Sequence, residues 1–353
     1  MNNPIISDHT ISAEAPLTEA LRAINSLSGR PLTLFSIDND GKLAGSITDG
    51  DIRRALLRGE SLNSPIKNAM NRNCLRIEQG EDETKKVAQG KRRKIRLIPI
   101  TSAGQIIEIL DLDSIRAILP IDAVIMAGGR GERLRPLTLH TPKPLLKVGN
   151  KPIIERNIER FEEYGIRKIF VTVNYLHEQI EQYFEARNGS SPTPRAQVKC
   201  IVEPKRLGTL GSLSLIEDFT QENVIIMNSD LLTSLDFKKM LDHHISTDAA
   251  VTVGAVPYTV SIPYAIMQAE GNRIIGLNEK PTFNYFANGG VYIMRRDILA
   301  RIPKGKFMDA PDFIEKLIDS GERVEMFPID GGWIDIGNPD DFRTANEILS
   351  YSV

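Results

Sequence analysis

From Ile121 onward, short runs of consecutive apolar residues alternate with stretches whose apolar positions recur near helical spacing. IDAVIMA (Ile121–Ala127), KIFVTVN (Lys168–Asn174), VKCIVE (Val198–Glu203), NVIIMNS (Asn223–Ser229) and AAVTVGAV (Ala249–Val256) read as strands. Between them, Ile153–Tyr164 carries Ile153, Ile154, Ile158 and Phe161 at helical spacing, and a second helix is expected over Glu178–Ala186. This alternation predicts βαβ units and an α/β fold with a doubly wound, mostly parallel sheet, whose ligands bind beyond the carboxyl ends of the strands.

The first 119 residues have a different texture, two short units that each close with a strand and an amphipathic helix. GSITDGDIRRAL (Gly45–Leu56) ends the first and EILDLDSIRAIL (Glu108–Leu119) the second, and their shared Ile-Arg suggests a weak internal repeat. Pro120 should interrupt the second helix and mark the boundary, because proline disfavours a helical conformation in the residue before it. The predicted organisation is a small α/β domain, 1–119, preceding a larger one, 120–353.

At 353 residues the chain exceeds the usual span of one hydrophobic core, which agrees with two domains. Its 44 basic and 46 acidic residues are too evenly matched to require nucleic acid or an anionic membrane as partner, so any phosphate site must be local. Cys74 and Cys200 lie far apart without metal-binding spacing. A cytoplasmic location is expected, because no segment approaches the roughly 20 apolar residues a membrane helix needs and the N-terminus lacks a signal-peptide pattern.

The strongest chemical signal is MAGGRGERLRPLTLHTPKPLLKVG, Met126–Gly149. It follows the first predicted strand of the larger domain, so Gly128, Gly129 and Gly131 can bring backbone N–H groups close to a phosphate. Neither a dinucleotide fingerprint nor a P-loop fits, because Leu134 stands where the former needs glycine and no Gly-Lys-Ser/Thr follows. A departing pyrophosphate needs fixed positive charge, and Arg133 and Lys143 are the candidates to supply it. Arg135 reads as a solvated turn residue.

Gly-Gly-x-Gly-x-Arg-Leu, Pro-Leu-Thr and Pro-Lys-Pro-Leu in this order resemble the signature of the sugar-1-phosphate nucleotidyltransferase family, and the likeness runs to Asp341. The resemblance implies a nucleotide site over Ala127, Gly128, Gly129 and Gly131. It also implies a nucleoside platform in EPKRLGTLGS, with Glu203, Gly208 and Thr209. Asp230, at the end of an apolar strand, and Asp335, in GGWIDIGNPDDF, are similar to the family's metal-binding pair. Magnesium, which favours a couple of carboxylates plus phosphate oxygens, is the implied cofactor. Glu279 and Lys280 of NEKP would hold the sugar hydroxyls and the attacking phosphate, and Asn288 and Gly289 would line the sugar. Tyr264-Ala265-Ile266 departs from the Tyr-Gly-Val common in the family. The five histidines (His9, His140, His177, His243, His244) fall outside this constellation and read as structural or surface residues.

GSITDGDIRRAL also resembles the ligand-binding end of a CBS domain, so the first 119 residues look like a CBS pair. The resemblance implies Thr48 and Asp51 as holders of the ribose and phosphate of a purine nucleotide, while Ser114 replaces the acid in the second unit. The basic run Lys85–Arg96 reads mainly as a solvated face. Together these features predict transfer of a nucleoside monophosphate, guanosine first, to a hexose or hexosamine 1-phosphate with release of pyrophosphate, by a homo-oligomeric enzyme. Thymidylyl or uridylyl transfer to glucose 1-phosphate and a non-catalytic nucleotide sensor are the alternatives.

Overall fold

The computed structural model describes residues 4–190 and 196–350. The chain divides into two compact units, the first comprising Met1–Leu119 with the short segments Glu162–Gly165 and Ala186–Arg195, the second the remainder. Among the described residues no helix is long and apolar enough to cross a membrane.

The first unit repeats one path twice. Strand β1 (Thr10–Ser12), helix α1 (Leu17–Ser26), β2 (Thr33–Ile37) and β3 (Leu43–Thr48) form a three-stranded sheet, parallel then antiparallel. Strand β4 (Ile77–Glu78), helix α3 (Glu83–Arg92), β5 (Leu97–Ser102) and β6 (Gln105–Asp111) form another of the same order and polarity. Each buries its own apolar cluster, Leu17, Ile24, Leu34, Ile47 and Ile52 in one and Ile77, Val87, Ile98, Ile100 and Leu110 in the other.

The two units do not close alike. After β3 comes helix α2 (Asp49–Leu57), begun by a capping box in which Thr48 and Asp51 satisfy each other's backbone N–H groups. After β6 the expected helix is absent, so Pro120 has none to interrupt. Asp111 instead makes a side-chain turn that accepts Asp113 N–H at 3.0 Å, and the Ser114 hydroxyl donates to its carbonyl at 2.8 Å. The N–H groups of Arg116 and Leu119 donate to Glu163 and Tyr164 carbonyls of the same unit. Lys91 Nζ donates to the carbonyls of Ile115 and Arg116. With its backbone groups engaged elsewhere, the segment has no i to i−4 ladder.

The second unit is built on a seven-stranded sheet. Its strands in chain order are β7 (Ile121–Ala127), β8 (Lys168–Val173), β9 (Gln197–Val202), β10 (Asn223–Asn228), β12 (Val251–Ser261), β15 (Thr282–Arg295) and β16 (Val324–Pro328), lying side by side as β9-β8-β7-β10-β15-β12-β16. All neighbours are parallel except at β15, which runs against both β10 and β12. Helices α4 (Ile153–Glu163), α5 (His177–Ser190), α6 (Phe237–Ser246), α7 (Ala310–Asp319) and α8 (Pro339–Ser350) accompany it. In α4 the expected apolar set Ile153, Ile154, Ile158 and Phe161 is fully buried. The short pair β11 (Leu231–Thr233) and β17 (Trp333–Asp335) stands apart from the main sheet, as does the hairpin β13 (Ile266–Glu270) and β14 (Arg273–Asn278).

His244 is structural, as expected of the histidines. It is buried, its Nε2 donates to Asn223 Oδ1 at 3.2 Å, and its Nδ1 accepts from the Thr252 hydroxyl at 2.8 Å. Burial, with Arg295 and His243 nearby, lowers its pKa from 6.5 to about 4. Between these two values the unfolded chain takes up a proton that the folded chain refuses, so stability is retained above pH 6.5 and falls as the pH drops through this window. The loss should approach about 3 kcal/mol at the acid end. Urea unfolding at pH 7 and pH 5 should show this slope in the parent and a flatter one in His244→Asn; equal slopes would exclude His244 as its source.

Candidate functional site

The backbone itself sets Asp230 beside Asp335. Strand β10 ends at Asn228, and Ser229 is pinned from both sides: its N–H donates to Met126 O at 3.1 Å, and its carbonyl accepts from the buried Asn157 side chain at 3.2 Å. Asp230 comes next. Leu231 then opens β11 directly opposite Asp335 of β17, and Ile336 N–H closes back on Asp230 O at 3.0 Å. Leu231 and Ile336 are buried and anchor the two turns. Burial pushes the Asp335 carboxyl above its ordinary pKa, and the like charge of Asp230 pushes it further, against the pull of Lys143 and Arg133. One oxygen of each acid, Oδ1, is buried without a hydrogen-bond partner.

Two buried, unsatisfied anionic oxygens side by side are costly unless a cation neutralises them. Magnesium takes one or two protein carboxylates and completes its shell with phosphate oxygens and water, so this pair fits it. Among the described residues there is no cluster of three or more acidic, histidine or cysteine side chains that could form an all-protein metal cage.

The glycine-rich loop brings the cations to the acids. Gly131 adopts φ +60°, and a Cβ there would lie 2.9 Å from Thr138 Cγ2, so the turn requires glycine. The Thr138 hydroxyl donates to Gly131 O at 2.8 Å, and buried Leu134 shares an apolar cluster with Ile336, Leu146 and Ile153. Arg133 is thereby held against the end of β17, where a Cβ on Gly337 would sit 3.1 Å from its guanidinium. Lys143 is buried, and its ammonium is paired with Asp230 Oδ2. Arg130 and Arg135 are solvent-facing, each 3.8 Å from Glu132.

Glu203 lies beyond the end of β9, buried, with its carboxyl raised by that burial. Its Oε2 accepts Leu207 N–H at 3.1 Å, and its Oε1 is 2.6 Å from where a Cβ on Gly128 would be. Gly208 has φ +78°, and a Cβ on it would strike Met308 O at 2.6 Å. Thr209 is held from behind: its N–H donates to Asp309 Oδ1 at 3.0 Å, and its hydroxyl accepts Ala310 N–H at 2.7 Å.

Arg133, Lys143, Asp230 and Asp335 therefore form one cluster, with the Gly128–Glu203–Leu207 contacts linking the glycine loop to the predicted platform. Gly289 joins the start of β17 through its carbonyl, which accepts Trp333 Nε1–H at 2.9 Å. Asn288 precedes it, exposed, and its side chain accepts Gly290 N–H at 3.0 Å. Glu279 and Lys280 lie elsewhere, exposed at the foot of the β13–β14 hairpin, and no hydrogen bond or ion pair among the described residues links them to the acids. Sequence reasoning missed Asn157 and Asp309. A lone polar residue on an amphipathic face was the signal for the first; the second reads as an ordinary helix start.

In the first unit, Thr48 and Asp51 line a cavity of about 430 Å³ together with Lys94 and Arg96. Much of the basic run is otherwise engaged: Arg96 pairs with Asp113 at 2.5 Å, and Lys85 and Lys86 face acids of their own helix start.

A sheet-end glycine loop, two cations and an acid pair with two unpartnered oxygens give the site the charge pattern that a phosphate ligand requires. The chain belongs to the nucleotidyl transferase family, whose model matches residues 122–351, and a CBS-domain model matches residues 1–58. It is 33% identical over 240 residues to the D-glycero-α-D-manno-heptose 1-phosphate guanylyltransferase of Aneurinibacillus thermoaerophilus, a match that covers 66% of this chain and all of that one. It is 29% identical to the UTP–glucose-1-phosphate uridylyltransferase of Synechocystis, covering 65% of this chain and 64% of that enzyme's length. The crystal structure of HddC from Yersinia pseudotuberculosis superposes with a TM-score of 0.52 at 25% identity, over 65% of this chain and 99% of that one; the same protein has been solved with GMP-PN. The chain is a nucleotidyltransferase.

Proposed function

We propose that the second unit transfers guanosine monophosphate from GTP to a hexose, heptose or hexosamine 1-phosphate, releasing pyrophosphate, and that magnesium is its metal. The observation that carries the metal-assisted phosphoryl-transfer part of this reading is the acid pair Asp230 and Asp335, each with a buried Oδ1 that has no hydrogen-bond partner, with Lys143 paired to the other oxygen of Asp230 and Arg133 acting on Asp335. Magnesium bound there supplies charge neutralisation on the α-phosphoryl group. Arg133 and Lys143 bind the β and γ phosphates and stabilise the departing pyrophosphate. The loop over Ala127, Gly128, Gly129 and Gly131 lies against the triphosphate, and Glu203, Gly208 and Thr209 hold the nucleoside, with Asp309 fixing Thr209 from behind. Glu279, Lys280, Asn288 and Gly289 position the sugar phosphate, whose oxygen attacks in line; no side-chain nucleophile takes part.

The guanine assignment draws on the heptose 1-phosphate relative and on the neighbour solved with GMP-PN. The uridylyltransferase relative makes uridylyl transfer the alternative to exclude. The cavity beside Thr48 and Asp51 favours a second role, purine-nucleotide binding in the first unit that modulates turnover. A pyrophosphate-release screen of GTP, ATP, UTP and dTTP against a panel of sugar 1-phosphates should show GTP preferred by at least tenfold. Adding purine nucleotides should change the rate in the parent but not in Asp51→Ala. Preference for UTP or dTTP would make it a sibling enzyme, and an unresponsive parent would leave the first unit without a regulatory role.

A further inference from the structure

Strand β15 slips its register at the point where the sugar is expected to lie. Between the pairs Val253 with Tyr292 and Ala255 with Asn288, β12 supplies one residue, Gly254, and β15 supplies three, Gly289, Gly290 and Val291. Such a bulge bends the strand, takes backbone groups out of the ladder and re-aims the residues beside it. The Gly289 carbonyl is met from another direction, by Trp333 Nε1–H at 2.9 Å, and among the described residues no other side chain donates to it.

Turn 288–290 is thereby gripped by the two segments that carry the acids. Trp333 stands half-buried just ahead of Asp335 on the same short strand, its backbone paired with Thr233, and Gly332 O before it accepts Ser234 N–H at 2.8 Å. On the other side Gly290 adopts φ +70°, and a Cβ there would lie 2.5 Å from Asn228 Nδ2 and 3.1 Å from Leu231 Cδ1, the residues that bracket Asp230. A Cβ on Gly289 would lie 2.9 Å from Gly254 O, so the turn is flush against β12. An indole whose Cα is fixed by strand pairing has two rotatable bonds and a stiff ring. Its length therefore sets how far the turn stands from Asp335.

We propose that Trp333 is a positioning residue for the sugar 1-phosphate, its N–H holding turn 288–290 at the distance from the acid pair that in-line attack requires. The assignment rests on the proposed lining of the sugar by Asn288 and Gly289 and deepens it. Trp333 acts through the Gly289 carbonyl and needs no contact with the sugar. Small displacements matter in this role, since a shift of about 1 Å in a reacting group can cost on the order of a hundredfold in rate.

Trp333 is the chain's single tryptophan, so a tryptophan analogue supplied during expression replaces it alone. Benzothienylalanine keeps the shape of the ring and puts sulfur where the N–H was; Trp333→Phe removes the N–H together with part of the ring. Both proteins and Asn288→Ala are compared with the parent in steady-state assays with GTP, using whichever of glucose, mannose and glucosamine 1-phosphate the parent turns over fastest. KM for the sugar phosphate should rise on the order of tenfold in all three, the usual size of effect when a buried acceptor loses its donor. KM for GTP, the magnesium concentration at half-maximal rate and the unfolding midpoint should stay as in the parent, because Asp335 is held by the backbone pairing with Leu231 and not by the indole. If Asn288→Ala raises the sugar-phosphate KM while both tryptophan replacements leave it unchanged, the turn needs no strut and only the role of Trp333 falls. If none of the three changes it, the sugar lies elsewhere, and the lining by Asn288 and Gly289 fails together with this assignment. A shift in the magnesium dependence with the sugar-phosphate KM unchanged would show the indole acting on Asp335, which also overturns it.

Discussion

Asp230→Asn and Asp335→Asn are each expected to lower magnesium-dependent turnover by at least about a thousandfold, the loss that follows when several kcal/mol of charge neutralisation disappear from the transition state. The two variants should differ in stability. Asp335 is buried against the like charge of Asp230, so its amide relieves repulsion and should leave the unfolding midpoint unchanged or raised. Asp230 is the partner of the buried Lys143 ammonium, so its amide strands that cation and should lower the midpoint. Steady-state rates with a magnesium titration, alongside thermal unfolding, check both parts. Near-normal turnover in either variant removes that residue from the metal site.

Lys143→Ala and Lys280→Ala should separate in two independent measurements. The Lys143 ammonium lies between the loop and the acids, so its loss should appear in triphosphate use, by about 2–4 kcal/mol of transition-state stabilisation. Lys280 is exposed near the β13–β14 hairpin, and its loss should appear in sugar-phosphate use. Removal of Lys143 should also destabilise the fold by leaving Asp230 unpaired, whereas removal of Lys280 should not. Kinetic defects that fall on the same substrate would show the two lysines wrongly assigned.

Features carried by local periodicity were legible in the sequence. Ile121–Ala127 is a strand over its whole predicted length, and the buried face of α4 is the one read from spacing. Asp230 was visible because an apolar strand ends just before it. The pairing of Asp230 with Lys143, 87 residues apart, was not, because nothing local to either residue encodes the distance between them. Asp309 escaped for the same reason, with its partner Thr209 100 residues away. The missing helix after β6 shows the limit of local pattern: Ile115-Arg116 matches Ile52-Arg53 in sequence, but carbonyls 115 and 116 are capped by a lysine and the N–H groups of Arg116 and Leu119 are taken by neighbouring chain, so tertiary bonds override helical propensity.

The outer half of β12 and β15 leaves the sheet as a two-stranded ribbon, with Tyr258 opposite Tyr285 and Val260 opposite Phe283, all solvent-exposed. Exposed positions tolerate most replacements within about 0.5 kcal/mol, whereas the inner half of β15, from Gly289 to Met294, is locked in the core. Divergence between relatives can therefore accumulate on the ribbon and its hairpin with little penalty to folding. With Glu279 and Lys280 assigned to the sugar phosphate as proposed, the acid–cation cluster at the sheet end stays fixed by its packing while the segment beside those two residues tolerates rewriting.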